Sequence, residues 1–133
     1  MTQEEKQLSL KVLCLMLPYR VIVQVKDWTA LDTELKTGHI RLFQEDYLEL
    51  KPYLRPMSSM TKEELHEVQE ILGKGVEIRE DFIVSVDSSI NSFTYLELIA
   101  VFEWLLKKHF DFMGLIPKGL AIEVTKENNP YKD

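Results

Sequence analysis

The sequence predicts a single α+β domain, a meander of antiparallel strands packed with about three helices. Three observations carry this. Capping boxes stand ahead of two stretches with helical spacing. Apolar and polar residues alternate between residues 19 and 43. A third stretch, about 93–109, is apolar nearly all round and reads as the central helix.

Thr2-Gln3-Glu4-Glu5 is the first box. The Thr hydroxyl accepts from a free backbone N–H, and the Glu reaches back to the cap. Leu8, Val12, Leu15 and Met16 then recur at helical spacing, and Pro18 ends a helix over residues 3–17. Tyr19, Val21, Val23 and Val25 alternate with polar residues, which predicts a half-buried strand, and Thr29 to Leu35 alternates again. Lys36-Thr37-Gly38 reads as a hairpin loop, and His39 to Phe43 as the returning third strand. The stretch 44–60 holds Pro52 and Pro56 among apolar residues, and is expected to lie as an irregular ordered segment across the sheet.

Thr61-Lys62-Glu63-Glu64 is the second box. Leu65, Val68, Ile71 and Leu72 follow on one helical face, with Gly73 and Gly75 as the stop. Residues 76–78 and 82–86 read as short strands, and Asn91 or Ser92 as the start of the third helix. On that helix Leu98, Ile99, Phe102, Leu105 and Leu106 are expected to form the core side, with Gly114 a turn beyond it. The domain spans 1–133, with a polar tail from about 126 expected to fray.

Composition narrows the function classes. The 133 residues are 45% hydrophobic and 29% charged, as in an ordinary soluble protein. A single cysteine, Cys14, forms no internal disulfide and reads as a small buried hydrophobe in the first helix. No basic leader precedes Leu8–Leu17, and no apolar run approaches a membrane span, so a cytoplasmic protein without a membrane partner is expected. A net charge of −6 argues against nucleic-acid binding.

Catalytic and metal patterns are sparse. Glu63, His66, Glu67 and Glu70 share one helical face, and Glu63-x-x-His66 has di-iron spacing. No second copy exists, so a solvated acidic face is expected, and no metal. His109 with Asp111 has the elements of a general base, but lies where a helix end favours a His as cap. No phosphate loop occurs, and no cofactor is implied. Arg55, between Tyr53-Leu54 and Pro56-Met57, either binds a carboxylate or phosphate through its planar fork or pins its own loop. Trp104 lies among Glu97 and Lys108 on the helical wheel, and reads either as a residue covered by another part of the chain, such as the Pro-rich segment 47–57, or as a hot-spot anchor in a partner interface.

Two stretches, YLRPMSSMTKEE (53–64) and WLLKKHFDFMGLIPKGLAIE (104–123), resemble small uncharacterised proteins common in gut Bacteroides-type bacteria and their phages. Phe112 here stands where those relatives carry Tyr, and Met113 where a polar or basic residue is expected. The resemblance implies a mobile-element or host-adapted cytosolic protein and carries over no catalytic residue. The expected function is a non-enzymatic protein-interaction module, a phage or mobile-element protein that binds a bacterial target or self-associates. Its candidate binding residues are Trp104, Arg55, Tyr53 and Lys108. The alternative is a small-ligand or nucleotide-derivative binder using Arg55 and nearby aromatics. A dispersed-site hydrolase or transferase is a third reading.

Overall fold

The computed structural model describes residues 1–72, 76–79, 82–85 and 95–131, and residues 76–79 and 82–85 through their backbone pairing alone. The chain is an α+β domain. Its elements are α1 (Gln3–Met16), β1 (Ile22–Lys26), β2 (Ala30–Glu34), α2 (Thr37–Gln44), β3 (Glu49–Leu54), α3 (Lys62–Leu72), β4 (Val76–Arg79), β5 (Phe82–Ser85), α4 (Tyr95–Lys107) and β6 (Ile122–Glu123). Gly73, Gly75, Val86 and the expected start of the third helix lie outside the described residues.

Both boxes form. Glu5 N–H donates to Thr2 Oγ1 at 3.1 Å while Thr2 N–H donates to Glu5 Oε1 at 2.8 Å. Thr61 and Glu64 repeat the exchange at 3.0 and 3.1 Å. The buried face of α1 is Ser9, Val12, Leu13 and Met16. Leu15 is exposed, because Leu13 takes the inward position expected of it. Cys14 is also exposed, which corrects its reading as a buried hydrophobe: it follows Leu13 around the helix and falls off the core face.

The sheet departs from a meander. Its order is β2-β1-β3-β6, with β1 antiparallel to both neighbours and β6 parallel to β3. The expected third strand, His39–Phe43, is instead part of α2, so four helices are described rather than three. Ile40 and Phe43, three residues apart, pack into the core, whereas Leu42 is 41% exposed. A strand would have put Ile40 and Leu42 on the same side. His39 Nδ1 accepts from Lys36 N–H at 3.0 Å and ties off the start of the helix. The third strand of the sheet lies in the segment expected to be irregular. Pro52 sits opposite Val23 in the β1–β3 register, and pairing with β6 begins only at Tyr53.

Val21, Val23, Leu50 and Leu54 project from one sheet face onto Val12, Leu13 and Met16 of α1. A second cluster joins Val68 and Leu72 of α3 to Val101 and Leu105 of α4, with Met57 and Phe110 between them. On α4 the structure reverses part of the expected division. Val101, Leu105 and Leu106 are buried, but Ile99 and Phe102 are about half exposed. The tail is not frayed at Tyr131. The Tyr131 hydroxyl accepts from Ile22 N–H at 2.9 Å and donates to Tyr53 C=O at 2.8 Å, and its ring stacks on His109 at 4.0 Å. No helix among the described residues is long and apolar enough to cross a membrane.

Candidate functional site

Arg55 leaves the end of β3 and joins three parts of the chain. Its backbone N–H donates to His109 C=O and its C=O accepts from Asp111 N–H, both at 2.8 Å, a parallel bridge that brings the two stretches of the resemblance together. Its fork closes on Glu64, Nη1 to Oε2 and Nη2 to Oε1, both at 2.7 Å, and Nη2 also reaches Ser59 C=O at 3.2 Å. The guanidinium lies 4.3 Å from the centre of the buried Phe110 ring. The Arg55 hydrogen bonds hold the Glu64 carboxyl at about 2, and the Thr61 backbone N–H adds to this. The fork therefore already holds a carboxylate, supplied by the first turn of α3. This geometry matches an arginine that pins its loop.

Tyr53 neighbours Arg55 in sequence but serves the sheet. Its ring is buried, its hydroxyl donates to Asp32 Oδ1 at 2.9 Å, and burial raises its pKa, with the Asp32 contact acting the same way. Trp104 and Lys108 meet elsewhere, over α3. Trp104 is half-buried; its ring stacks on Phe110 at 5.7 Å and its Nε1–H donates to Glu67 Oε2 at 2.9 Å. Lys108 Nζ stands 4.0 Å from the same carboxylate oxygen. With Ile71 and Lys107 these residues line a depression of about 470 Å³. The four candidate binding residues thus fall into three settings, Tyr53 with Asp32 at the sheet, Arg55 with Glu64, and Trp104 with Lys108 on Glu67, the last two meeting on the Phe110 ring.

His109 and Asp111 are each engaged by backbone. His109 closes α4 at φ 63°, a left-handed position suited to a helix end, and its Nε2–H donates to Tyr19 C=O at 2.9 Å. Burial lowers its pKa, and the Arg55 charge adds to the effect. Asp111 is buried, and its two oxygens accept from Leu115 N–H at 2.8 Å and Ile116 N–H at 2.9 Å. It fixes the turn that leads to β6, where Gly114 and Gly119 take φ of 74° and 72°. On the acidic face of α3, His66 pairs with Glu70 at 3.5 Å and Glu67 serves Trp104. Among the described residues no group of three or more His, Cys, Asp or Glu is arranged to hold a metal ion.

Two apolar surfaces escaped sequence reasoning. Tyr95 (87% exposed) and Leu96 (81%) continue through Ile99 and Phe102 as a stripe along α4. The spacing was legible, but Ile99 and Phe102 were assigned to the core and Tyr95 and Leu96 to neither side. Trp28 (93% exposed) and Tyr47 (71%) line a cleft of about 710 Å³ with Phe43, Leu48 and five charged side chains. Here Asp27-Trp28-Thr29 between two alternating stretches was the available signal. No protein family, curated protein or solved structure matches this chain.

Proposed function

We propose that the chain is a non-enzymatic protein-interaction module acting in the cytoplasm. Read with the resemblance to small Bacteroides-type and phage proteins, it is a phage or mobile-element product that engages a bacterial protein or a second copy of itself. The observation that carries this reading is the α4 stripe. Tyr95, Ile99 and Phe102 follow one another at helical spacing with Leu96 beside them, all exposed. Contiguous apolar surface of this kind marks interaction sites more often than a free face. The polar clusters favour the same view, because the Arg55 fork, the Asp111 carboxylate and His109 Nε2 are all bonded within the chain. The small-ligand alternative at Arg55 draws less support, since a ligand would have to displace Glu64.

The test is a pair of variants, Leu96→Glu and Ile99→Glu, followed by affinity capture from host cytosol and by the native mass of the purified protein. The wild-type chain should capture a partner or self-associate, and both variants should lose this. Their stability should stay within about 0.5 kcal/mol of wild type, as for exposed positions. A wild-type monomer that captures nothing, or variants that capture as well as wild type, would overturn the proposal.

A further inference from the structure

The Trp28–Tyr47 cleft shares no residue with the α4 stripe. Trp28 stands at the tip between β1 and β2, and the tip is braced from within. Asp27 Oδ1 accepts from Thr29 N–H at 2.9 Å, and Asp27 N–H donates to Thr29 C=O at 3.2 Å. Tyr47 is held in the same manner. It follows Asp46, which sits at φ 64° and pairs with Lys6, and Tyr47 N–H donates to Leu42 C=O at 2.9 Å. Two large aromatic side chains are thus presented to water on fixed turns, over a floor of Phe43 and Leu48. A partner that covers them gains apolar burial with little new ordering of the backbone.

The chemistry of the walls selects the occupant. Most of the charge is already used inside the cleft. Lys6 is held by Asp46 and lies 4.8 Å over the Phe43 ring, and Asp27 accepts from Thr29. Lys26 and Glu49 stand opposite each other in the β1–β3 register with no ion pair between them, so their opposite charges stay available while nearly cancelling. Little net charge is left to attract a phosphate or a polyion. Among the described residues, the cleft's polar groups without a hydrogen-bond partner include the donors Trp28 Nε1–H and the Lys26 ammonium, the Tyr47 hydroxyl, and the Glu49 carboxylate. The matching partner offers ridged apolar faces, carbonyl acceptors for the indole and ammonium, and a cation for Glu49. A proline-rich segment has these properties. Its extended left-handed helix makes no internal hydrogen bonds, its carbonyls face outward, and proline has no N–H. Such segments dock on aromatic-lined grooves at low entropic cost. A sugar also stacks on aromatic rings, but a neutral sugar brings no cation to the Glu49 carboxylate.

We propose that the cleft between Trp28 and Tyr47 binds a proline-rich, extended segment of a partner protein, with Glu49 placed to receive a basic residue flanking it. The inference rests on the interaction-module reading and gives that module a second, independent surface. The probe is a proline-rich peptide of about ten residues ending in one arginine, titrated into the full ¹⁵N-labelled chain. The two indole N–H signals are followed, with that of Trp28 identified by its loss in Trp28→Phe. The Trp28 signal should shift saturably and that of Trp104 should not. Trp28→Ala and Tyr47→Ala should each weaken binding about tenfold or more with unchanged melting temperatures. A Gly-Ser peptide of equal length and a linear glucose oligosaccharide should produce no shift. No saturable shift at millimolar peptide, or unaltered affinity in Trp28→Ala, would sink the proposal. So would a shift with the oligosaccharide alone. Leu96→Glu should bind the peptide normally. Failure at the cleft with partner capture intact through α4 would therefore remove this inference and leave the proposed function standing.

Discussion

Removing Arg55 tests how the two halves of the chain are joined. In Arg55→Ala the Glu64 carboxylate loses both charge-assisted bonds and keeps the bond from Thr61 N–H. Breaking a fully buried pair costs about 3–5 kcal/mol, but the Arg55 and Glu64 side chains keep 24% and 14% exposure, which lowers the figure to about 2 kcal/mol. Loss of the guanidinium over Phe110 adds about 0.5–1 kcal/mol, for a total near 3 kcal/mol. Arg55→Lys keeps the charge and loses the fork, and should cost about half as much. The pH dependence supplies an independent signature. The Glu64 carboxyl lies at about 2 in the fold against an ordinary 4.5, so the stability it contributes is present above 4.5 and is lost as pH falls towards 2. That difference corresponds to at most about 3 kcal/mol, and to about 2 kcal/mol once screening is allowed for. Glu64→Gln retains an acceptor for Thr61 N–H, so it should keep the helix start but flatten this acid limb. Urea unfolding between pH 7 and pH 2.5 measures both effects. A cost below about 1 kcal/mol for Arg55→Ala, or an undiminished acid slope in Glu64→Gln, would refute the reasoning.

Two further outcomes follow from the site geometry. His109 is held neutral by burial below its usual 6.5, so stability should be full above that pH and fall below it as the unfolded chain takes up the proton first; His109→Asn, which tolerates the left-handed backbone, should remove that slope in thermal melts. Trp104→Ala should cost about 2–3 kcal/mol, less than a fully buried aromatic, whereas Trp104→Phe keeps the Phe110 stack and should cost about 1 kcal/mol for the bond to Glu67; equal losses in the two variants by urea unfolding would contradict this division.

The parts of the fold legible in the sequence are those fixed by neighbours along the chain. Thr2 with Glu5 and Thr61 with Glu64 are three residues apart, and their boxes need nothing distant to form. Val21 and Val23 declare the buried face of β1 by alternation alone. The misread parts depend on contacts far along the chain. His-Ile-Arg-Leu-Phe suits a strand or a helix, and Ile40 with Phe43 meeting α1 settles it as α2. Pro52 argued against a strand, yet it is accommodated beside β6, whose pairing starts one residue later. The wheel of α4 gave the apolar residues but not which of them α3 and α1 would cover, so Ile99 and Phe102 were placed inside and the exposed stripe was missed. At the candidate site, Arg55 was singled out by its place beside Pro56, but its Glu64 partner, nine residues on, was not.

The Tyr131 hydroxyl reaches back 109 residues to Ile22 and 78 residues to Tyr53. Closing loops of that length is entropically unfavourable until the sheet it docks on already exists. The contact should therefore form after the rate-limiting step of folding, and act as a brake on unfolding rather than as an aid to folding. Stopped-flow traces of Tyr131→Phe should then show an unchanged refolding limb and about tenfold faster unfolding, the kinetic equivalent of about 1.4 kcal/mol. The lifetime of the folded protein, and its resistance to proteases that outpace reclosing, would be set by a single tyrosine in a segment whose composition suggests a loose end.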